Sequence, residues 1–326
     1  MRAIRIEATG GADQLRWDEI PVPEPKPGEI RFRVEAAGVN FIDIYQRSGL
    51  YPVPLPATPG SEAAGIVTAL GEGVTSFKVG DRVATVRASG GYAEEAVAPA
   101  EQVVLVPAGI DLKIAGAVML QGMTAHYLAC STFELKAGDT ALVHAAAGGV
   151  GLLLTQIAKL RGARVLGTVG TAEKARIAQA AGADEVVLYG QDDFSVAAHR
   201  FSGGPGVHVV YDSVGKDTFE RSLASLRPRG MMVSFGNSSG PVPPFAPLLL
   251  SKGGSLYITR PTLLHYTLTR AELLERASAL FNWILAGRLK VSIGREFPLA
   301  SAAAAHRALE SRQTTGKVIL VPGGGR

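Results

Sequence analysis

Ala141-Leu-Val-His-Ala-Ala-Ala-Gly-Gly-Val-Gly-Leu-Leu-Leu-Thr-Gln-Ile-Ala-Lys159 decides how the rest of this sequence is read. A short apolar run meets a glycine-rich turn and continues with helical spacing. Strand, turn and helix in that order open a dinucleotide-binding unit. Gly148 lets backbone approach a pyrophosphate, and Gly151 lets the helix pack close to the strand. Ala146 replaces the first glycine of the usual G-x-G-x-x-G, so the turn needs support from its surroundings.

That support follows downstream. Six strand-like runs lie near 140–144, 164–169, 185–188, 207–212, 231–235 and 255–259. Helix-like stretches near 151–161, 172–181, 191–201 and 216–226 separate the first five. A Pro-rich loop at 240–247 and the apolar Leu248-Leu-Leu250 precede the sixth. Such alternation demands a parallel sheet with covering helices, and six strands complete a doubly wound dinucleotide fold.

Upstream, residues 1–110 read as mostly β. Ile30-Arg-Phe-Arg-Val-Glu35 alternates apolar and charged side chains, and turn signals recur at Thr9-Gly-Gly11, Pro25-Lys-Pro-Gly28, Gly71-Glu-Gly73 and Val79-Gly-Asp81. Segments near 62–69, 82–87 and 92–98 fill out an irregular sheet. From Leu112 to Leu128 apolar residues recur at helical spacing, making a connector. After about residue 265 come a helix (Arg270–Gly287), a second (Ser301–Leu309) and a strand (Lys317–Val321), none of which extends the alternation. The chain is therefore expected to return to its first domain, giving residues 1–124 with 265–326 and an inserted 125–264, with the active site expected in the cleft between them.

Composition narrows the class. A chain of 326 residues, 47% hydrophobic and 19% charged, has the balance of a two-domain globular protein. The single Cys130 excludes an internal disulfide and a cysteine-based zinc cluster, and fits a reducing, cytoplasmic setting. Met1-Arg-Ala-Ile-Arg-Ile-Glu7 alternates like a strand rather than a signal peptide. The most apolar window, 141–158, contains His144, three glycines and Gln156, which suits a buried βα unit better than a membrane span. The net charge of +4 is spread over isolated basic residues, so nucleic acid is not an expected partner. The tail Gly323-Gly-Gly-Arg326 reads as frayed.

Several blocks in order resemble the zinc-free quinone oxidoreductases of the medium-chain dehydrogenase/reductase superfamily, the zeta-crystallin-like group. They are Gly38-Val-Asn-Phe-Ile-Asp-Ile-Tyr45, Arg47-Ser-Gly-Leu-Tyr51, Pro59-Gly-Ser-Glu-Ala-Ala-Gly65, Val79-Gly-Asp-Arg-Val83, His144 to Gly151, Val210-Tyr-Asp-Ser-Val-Gly215 and Ser234-Phe-Gly-Asn-Ser-Ser-Gly240. The resemblance spans nearly the whole chain. It implies an α/β protein with a six-stranded Rossmann domain inserted in a mostly β, GroES-like catalytic domain. It also implies NADPH, a two-electron acceptor such as a quinone, and a homodimer.

Zinc-dependent relatives carry a Cys where this chain has Asn40 and a His where it has Ser61. A catalytic zinc needs three protein ligands and an open position. The six histidines are dispersed and read as core or surface residues rather than as a metal cluster.

For the cofactor, the amides of Gly148, Gly149 and Val150 open a helix whose positive end suits a pyrophosphate. NAD-users keep an acid at the end of the second strand for the ribose 2′-OH. Here that strand ends in Val169-Gly170 without one, and Thr171 and Lys174 follow, so NADPH is expected. Thr171 reads equally as a helix N-cap, and Lys174 also reads as a solvated helix residue. The resemblance adds Tyr189 beside the adenine, then Ser213, Phe235, Gly236, Asn237 and Ser238 along the cofactor. Pro261, Thr262 and Leu263 are added near the nicotinamide, with Tyr127 from the connector and Arg312 from the returning segment. Tyr189 and Phe235 read as core residues on their own.

On the substrate side the resemblance brings Asn40, Phe41, Ile42, Asp43, Tyr45 and Tyr51 to the nicotinamide end. Without a Lewis acid, charge developing on the acceptor oxygen needs hydrogen-bond donors, which Asn40, Tyr45 and Tyr51 offer; the two tyrosines also offer flat faces to a ring. Tyr45 and Tyr51 read otherwise as packing residues, and Asp43 as a residue orienting a turn. No general acid is assigned, because a hydroquinonate takes protons from water; Arg47 and Arg260 are unassigned. Enone or 2-alkenal reduction uses the same hydride geometry and stays open. An RNA-binding or crystallin-like role is the reading from another class.

Replacing Lys174 with Ala is expected to cost roughly 1.5–3 kcal/mol of NADPH binding, the worth of a charge-assisted hydrogen bond, while NADH binding stays nearly unchanged. Titration of both cofactors decides this, and equal weakening of the two removes the assignment.

Overall fold

The chain opens on an antiparallel pair, β1 (Arg2–Arg5) and β2 (Arg16–Glu19). In the computed structural model, which describes residues 1–323, the alternating run expected at 30–35 is part of β3 (Glu29–Val39). Ile30, Phe32 and Val34 are buried on one face of it, and Arg33 is exposed on the other. Helix α1 (Phe41–Ser48) follows, then β4 (Ala63–Leu70), β5 (Arg82–Thr85), β6 (Glu95–Pro99), β7 (Val103–Leu105) and the connector α2 (Leu112–Tyr127). The last three residues of the tail read as frayed lie outside the described residues.

Strand and helix then alternate. The first half is β8 (Thr140–Val143), α3 (Gly149–Leu160), β9 (Arg164–Val169), α4 (Ala172–Ala180) and β10 (Glu185–Leu188). The second is α5 (Phe194–Ser202), β11 (Val207–Asp212), α6 (Phe219–Ala224), β12 (Leu226–Ser234), α7 (Leu248–Lys252) and β13 (Tyr257–Thr259). The returning segment supplies α8 (Arg270–Leu285), β14 (Ile293–Pro298), α9 (Ala302–Glu310) and β15 (Lys317–Val321).

By contacts the chain divides into residues 1–121 with 269 onward, and Gly122–Leu268. The first unit is built on a sheet ordered β14-β15-β3-β4-β5-β7, with β6 also on β3. The second is a six-stranded sheet ordered β10-β9-β8-β11-β12-β13, parallel throughout. Its order is that of a doubly wound dinucleotide fold, with the direction of winding reversing between β8 and β11. Val165, Leu166, Val209 and Val210 are completely buried, as strands covered on both faces must be.

Four features depart from the sequence reading. Helix α1 lies in a region read as β; its signals were Asn40 and Asp43 three apart, and Gly49 ending it in the left-handed conformation. Strand β14 was missed because its residues are mostly exposed and carry no apolar alternation. Strand β12 begins five residues earlier than read, at Leu226, through a Pro and a Gly that break the pattern. Leu248-Leu-Leu250 opens a short helix, and the sixth strand begins at Tyr257, two residues later than read.

The glycine turn explains its own spelling. A methyl group at Gly151 would overlap the carbonyl oxygen of Ala145, so only glycine allows α3 to seat on the turn. Gly151→Ala should therefore lose about 1–3 kcal/mol of stability, as overpacking does. Denaturant unfolding measures the loss, and an unchanged midpoint would show that the turn yields freely.

Candidate active site

In the second unit all six parallel strands end along one edge, where open α/β sheets bind ligands. Ala145 takes a left-handed conformation (φ 50°) and accepts the Gly148 amide at 2.8 Å, closing the turn after β8. Helix α3 then begins at Gly149 with no side chain capping it, and Gly148, Gly149 and Val150 are half-buried. Its first amides are presented to a ligand, with the positive helix end behind them. Strand β9 ends at Val169, and Gly170 and Thr171 are exposed. The Thr171 hydroxyl accepts the Lys174 amide at 3.2 Å, so Thr171 caps α4, and Lys174 stands in the first turn of that helix. These residues fit a phosphorylated dinucleotide: open amides for the pyrophosphate, no carboxylate at the end of the second strand, and Lys174, next to Glu173, in the first turn of the helix that follows.

The remaining positions lie on the same edge. Tyr189 follows β10; its hydroxyl accepts the Ala145 amide at 3.2 Å and lies 3.2 Å from His144 Nδ1, which ties the third strand end to the glycine turn. The loops after β11 and β12 are joined: Asp212 O accepts from the Phe235 amide at 2.7 Å and Ser213 O from the Ser238 amide at 3.2 Å. A side chain at Gly236 would strike Ser213, while Asn237 is half-buried beside them. Pro261, Thr262 and Leu263 follow β13. Tyr127, at the end of α2, is buried with its ring stacked on Tyr266 at 4.3 Å and 7°.

Sequence reasoning missed what holds this edge together. His144 is buried between Thr168 Oγ1 (2.8 Å from Nδ1) and Ser222 Oγ (2.9 Å from Nε2). Asp212 Oδ2 accepts from the Thr218 and Ser222 hydroxyls, and Oδ1 from the Val214 and Gly215 amides. Burial pushes the imidazole down, more than the nearby Asp212 carboxylate pulls it up, so His144 is a neutral tie between strand ends. The only sequence signal was its place immediately before the glycine turn.

In the first unit, the residues expected on the substrate side lie on α1 and at its two ends. Tyr45 and Tyr51 meet edge-on at 5.3 Å and 61°, Phe41 lies 6.0 Å from Tyr45, and Tyr45 O accepts the Tyr51 amide at 3.0 Å. Tyr51, three residues beyond the end of α1, is exposed, and Ile42 on the helix is half-buried. Arg312 sits in the turn between α9 and β15, left-handed at φ 57° and exposed.

Asn40 is not available as a substrate donor. Its amide nitrogen donates to Gly38 O (3.2 Å) and Glu62 Oε2 (2.8 Å), which uses both hydrogens. Its oxygen accepts from Lys317 Nζ (2.6 Å) and Gln121 Nε2 (3.3 Å). Asp43 is likewise no ligand contact: it is completely buried, and its Oδ2 accepts the Asn40 amide and the Tyr92 hydroxyl, each at 2.9 Å. The turn-orienting reading of Asp43 is the one the geometry supports. Behind it, Tyr92 OH lies 3.2 Å from His306 Nε2, and Arg47 faces His306 Nδ1 at 3.5 Å while pairing with Glu310. Arg47 can only donate, so His306 accepts at Nδ1 and donates from Nε2 toward Tyr92. Burial pushes the Asp43 carboxyl up to about 7, against donors at Asn40 and Tyr92 and the charge of Lys317. Burial, helped by Arg47, pushes His306 down to about 3.

Two family models match the chain, one described as an alcohol dehydrogenase GroES-like domain over residues 26–108 and one as a zinc-binding dehydrogenase over 149–281. A quinone oxidoreductase of Pseudomonas aeruginosa is 48% identical over 98% of this chain and 99% of its own. A 2-haloacrylate reductase of a Burkholderia species is 45% identical over 97% and 98%. The crystal structure of Escherichia coli quinone oxidoreductase complexed with NADPH superposes with a TM-score of 0.97 at 46% identity, covering 99% of this chain and 100% of that one. The donors here do not fit the zinc of the second model's description. Among the described residues no three His, Cys, Asp or Glu side chains gather into a metal-binding group, and Glu62 is committed to Lys317.

The Asp43 and His306 shifts act on stability with opposite signs. Between roughly pH 4 and 7 the folded Asp43 holds a proton that the unfolded one lacks, so stability falls as pH rises through that window. Between roughly pH 3 and 6.5 the unfolded His306 holds a proton that the folded one lacks, so stability rises. From about pH 4 to 6.5 the two cancel: folding moves a proton from imidazole to carboxyl. Asp43→Asn should therefore add a rising slope to the parent curve and His306→Gln a falling one, each up to about 1.4 kcal/mol per pH unit. Denaturant unfolding from pH 4 to 6.5 reads both; parallel curves for parent and variants would refute the pairing.

Proposed function

Because the chain belongs to the zinc-free quinone oxidoreductases of the medium-chain dehydrogenase/reductase superfamily, we propose that it reduces quinones with NADPH. One observation carries the reading. The α3 entrance is uncapped and the β9 end has no carboxylate, in a chain closely similar to an oxidoreductase solved with NADPH. The open amides of Gly148–Val150 hold the pyrophosphate, and Lys174 beside Gly170 and Thr171 answers the 2′-phosphate. Ser213, Phe235–Ser238 and Pro261–Leu263 line the nicotinamide half.

The bound nicotinamide supplies a hydride, and negative charge then develops on the acceptor oxygen. Tyr45 and Tyr51 offer phenolic donors to that oxygen and flat faces to the ring. Asn40 contributes indirectly, by holding the start of α1 rather than by touching the acceptor. Water supplies the one proton that, together with the hydride, completes the hydroquinone. The similar 2-haloacrylate reductase favours a second reading, reduction of an activated alkene, because a quinone is itself a doubly activated enone. A cytoplasmic homodimer completes the proposal. The lone cysteine, the exposed apolar Leu248 and Leu249 on α7, and exposed Tyr257 on the edge strand β13 support it; a monomer mass by light scattering would count against the dimer.

Loss of NADPH absorbance against a quinone panel and an enone panel tests the assignment by ranking kcat/KM. Quinones are expected to lead, and an enone ahead of every quinone would hand the function to the second reading. Tyr45→Phe should lower kcat/KM for the preferred acceptor about ten-fold, the worth of one hydrogen bond to developing charge.

A further inference from the structure

The loop after β13 is anchored in a way that the cofactor contacts alone do not require. Thr262 O accepts the His265 amide at 3.1 Å, and Leu263 O accepts the hydroxyl of buried Thr267 at 3.1 Å, so residues 262–267 form a stiff turn. Tyr266 in that turn lies face to face with Tyr127, ring centroids 4.3 Å apart and planes 7° from parallel. Its hydroxyl accepts from Thr132 Oγ1 at 2.9 Å. Both partners belong to one unusual segment. Helix α2 ends at Tyr127 and passes into a wider helical turn over Leu128–Thr132. Such turns have poorly matched carbonyls and recur at functional sites. Here Tyr211 OH, buried on β11, donates to Leu128 O at 3.1 Å and so fixes the wide turn to the sheet.

In a doubly wound sheet the adenosine half of a dinucleotide lies over the first three strands and the nicotinamide half over the last three. The loop carrying Pro261–Leu263 leaves the last of these, β13. We propose that Tyr266 is a positioning residue for hydride transfer: clamped between Tyr127 and Thr132, it fixes the depth at which residues 261–263 support the nicotinamide. This rests on the NADPH-dependent reading above. A clamp of this kind sets the distance and angle of the reacting carbon, and small misplacements there slow chemistry far more than they weaken binding. Tyr266→Phe keeps the stack and loses the hydroxyl; Tyr266→Leu loses both.

Single-turnover hydride transfer from enzyme-bound NADPH to p-benzoquinone, with NADPH deuterated at the transferred position as a control, separates the step from product release. NADPH affinity is measured alongside by fluorescence. Tyr266→Leu should slow transfer at least ten-fold while the NADPH Kd changes less than three-fold; Tyr266→Phe and Thr132→Val should slow it about three-fold. Transfer at the parent rate in Tyr266→Leu would overturn the proposal, as would a loss of NADPH affinity in step with the rate. If Tyr266→Leu fails to fold, the two variants that keep the ring still decide: parent-like rates in both refute the clamp. If the parent enzyme transfers hydride to an enone and to no quinone, the proposed function fails, and the same variants assayed with the enone still decide the role of Tyr266.

Discussion

A lysine ammonium and a glutamate carboxylate, both out of solvent, meet at 2.6 Å in the first unit, and four segments converge on them. Lys317 comes from β15, Glu62 from the approach to β4, Asn40 from the start of α1, and Leu120, whose amide donates to Glu62 Oε1 at 2.8 Å, from α2. Desolvating two charges is costly and is offset only when the remaining polar atoms are also satisfied. Each oxygen of Glu62 has a donor, and Asn40 fills the rest. Gly38 is part of the same constraint, since a methyl group there would occupy the space of the Glu62 carboxylate. The aromatic side chains of α1 are placed by this buried node.

The inserted sheet was legible because its physics is local and repetitive. Buried parallel strands read as short apolar runs, helices separate them, and each run was found within a few residues of its observed strand. The first unit was less legible. Helix α1 spans eight residues, too few for periodicity to show, and β14 is held by pairing with β15 rather than by burial. At the candidate site, residue type pointed to the glycine turn and to Lys174, while geometry was needed to see that Asn40 is already satisfied. Nor could spacing show that Asp43, Tyr92 and His306 meet. They are 263 residues apart at the extremes, and nothing in the local pattern of any one names the others.

Both units use buried polar groups to hold the segments that carry the proposed site residues. His144 and Asp212 bind strand ends in the second; Arg47, His306, Tyr92 and Asp43 form a directional chain in the first. In each, a histidine kept neutral by burial supplies a donor and an acceptor at fixed positions. Under the proposed hydride transfer, such fixed geometry is the protein's contribution, since the reaction depends on where two rings are held.

The pairing of β15 with β3 also dictates an order of assembly. Residues 122–268 are contiguous and carry every strand of their sheet, so that sheet can form as soon as it has been synthesised. The first unit cannot close then. Its β3 lacks the β15 neighbour, and Glu62 has no counter-charge, until Lys317 has been made some 255 residues later. A chain stopped short of β15 would hold a finished nucleotide sheet beside an open strand edge and an unpaired buried acid. The strands made before the inserted sheet are therefore the last to become native, and they stay longest open to mispairing with other chains.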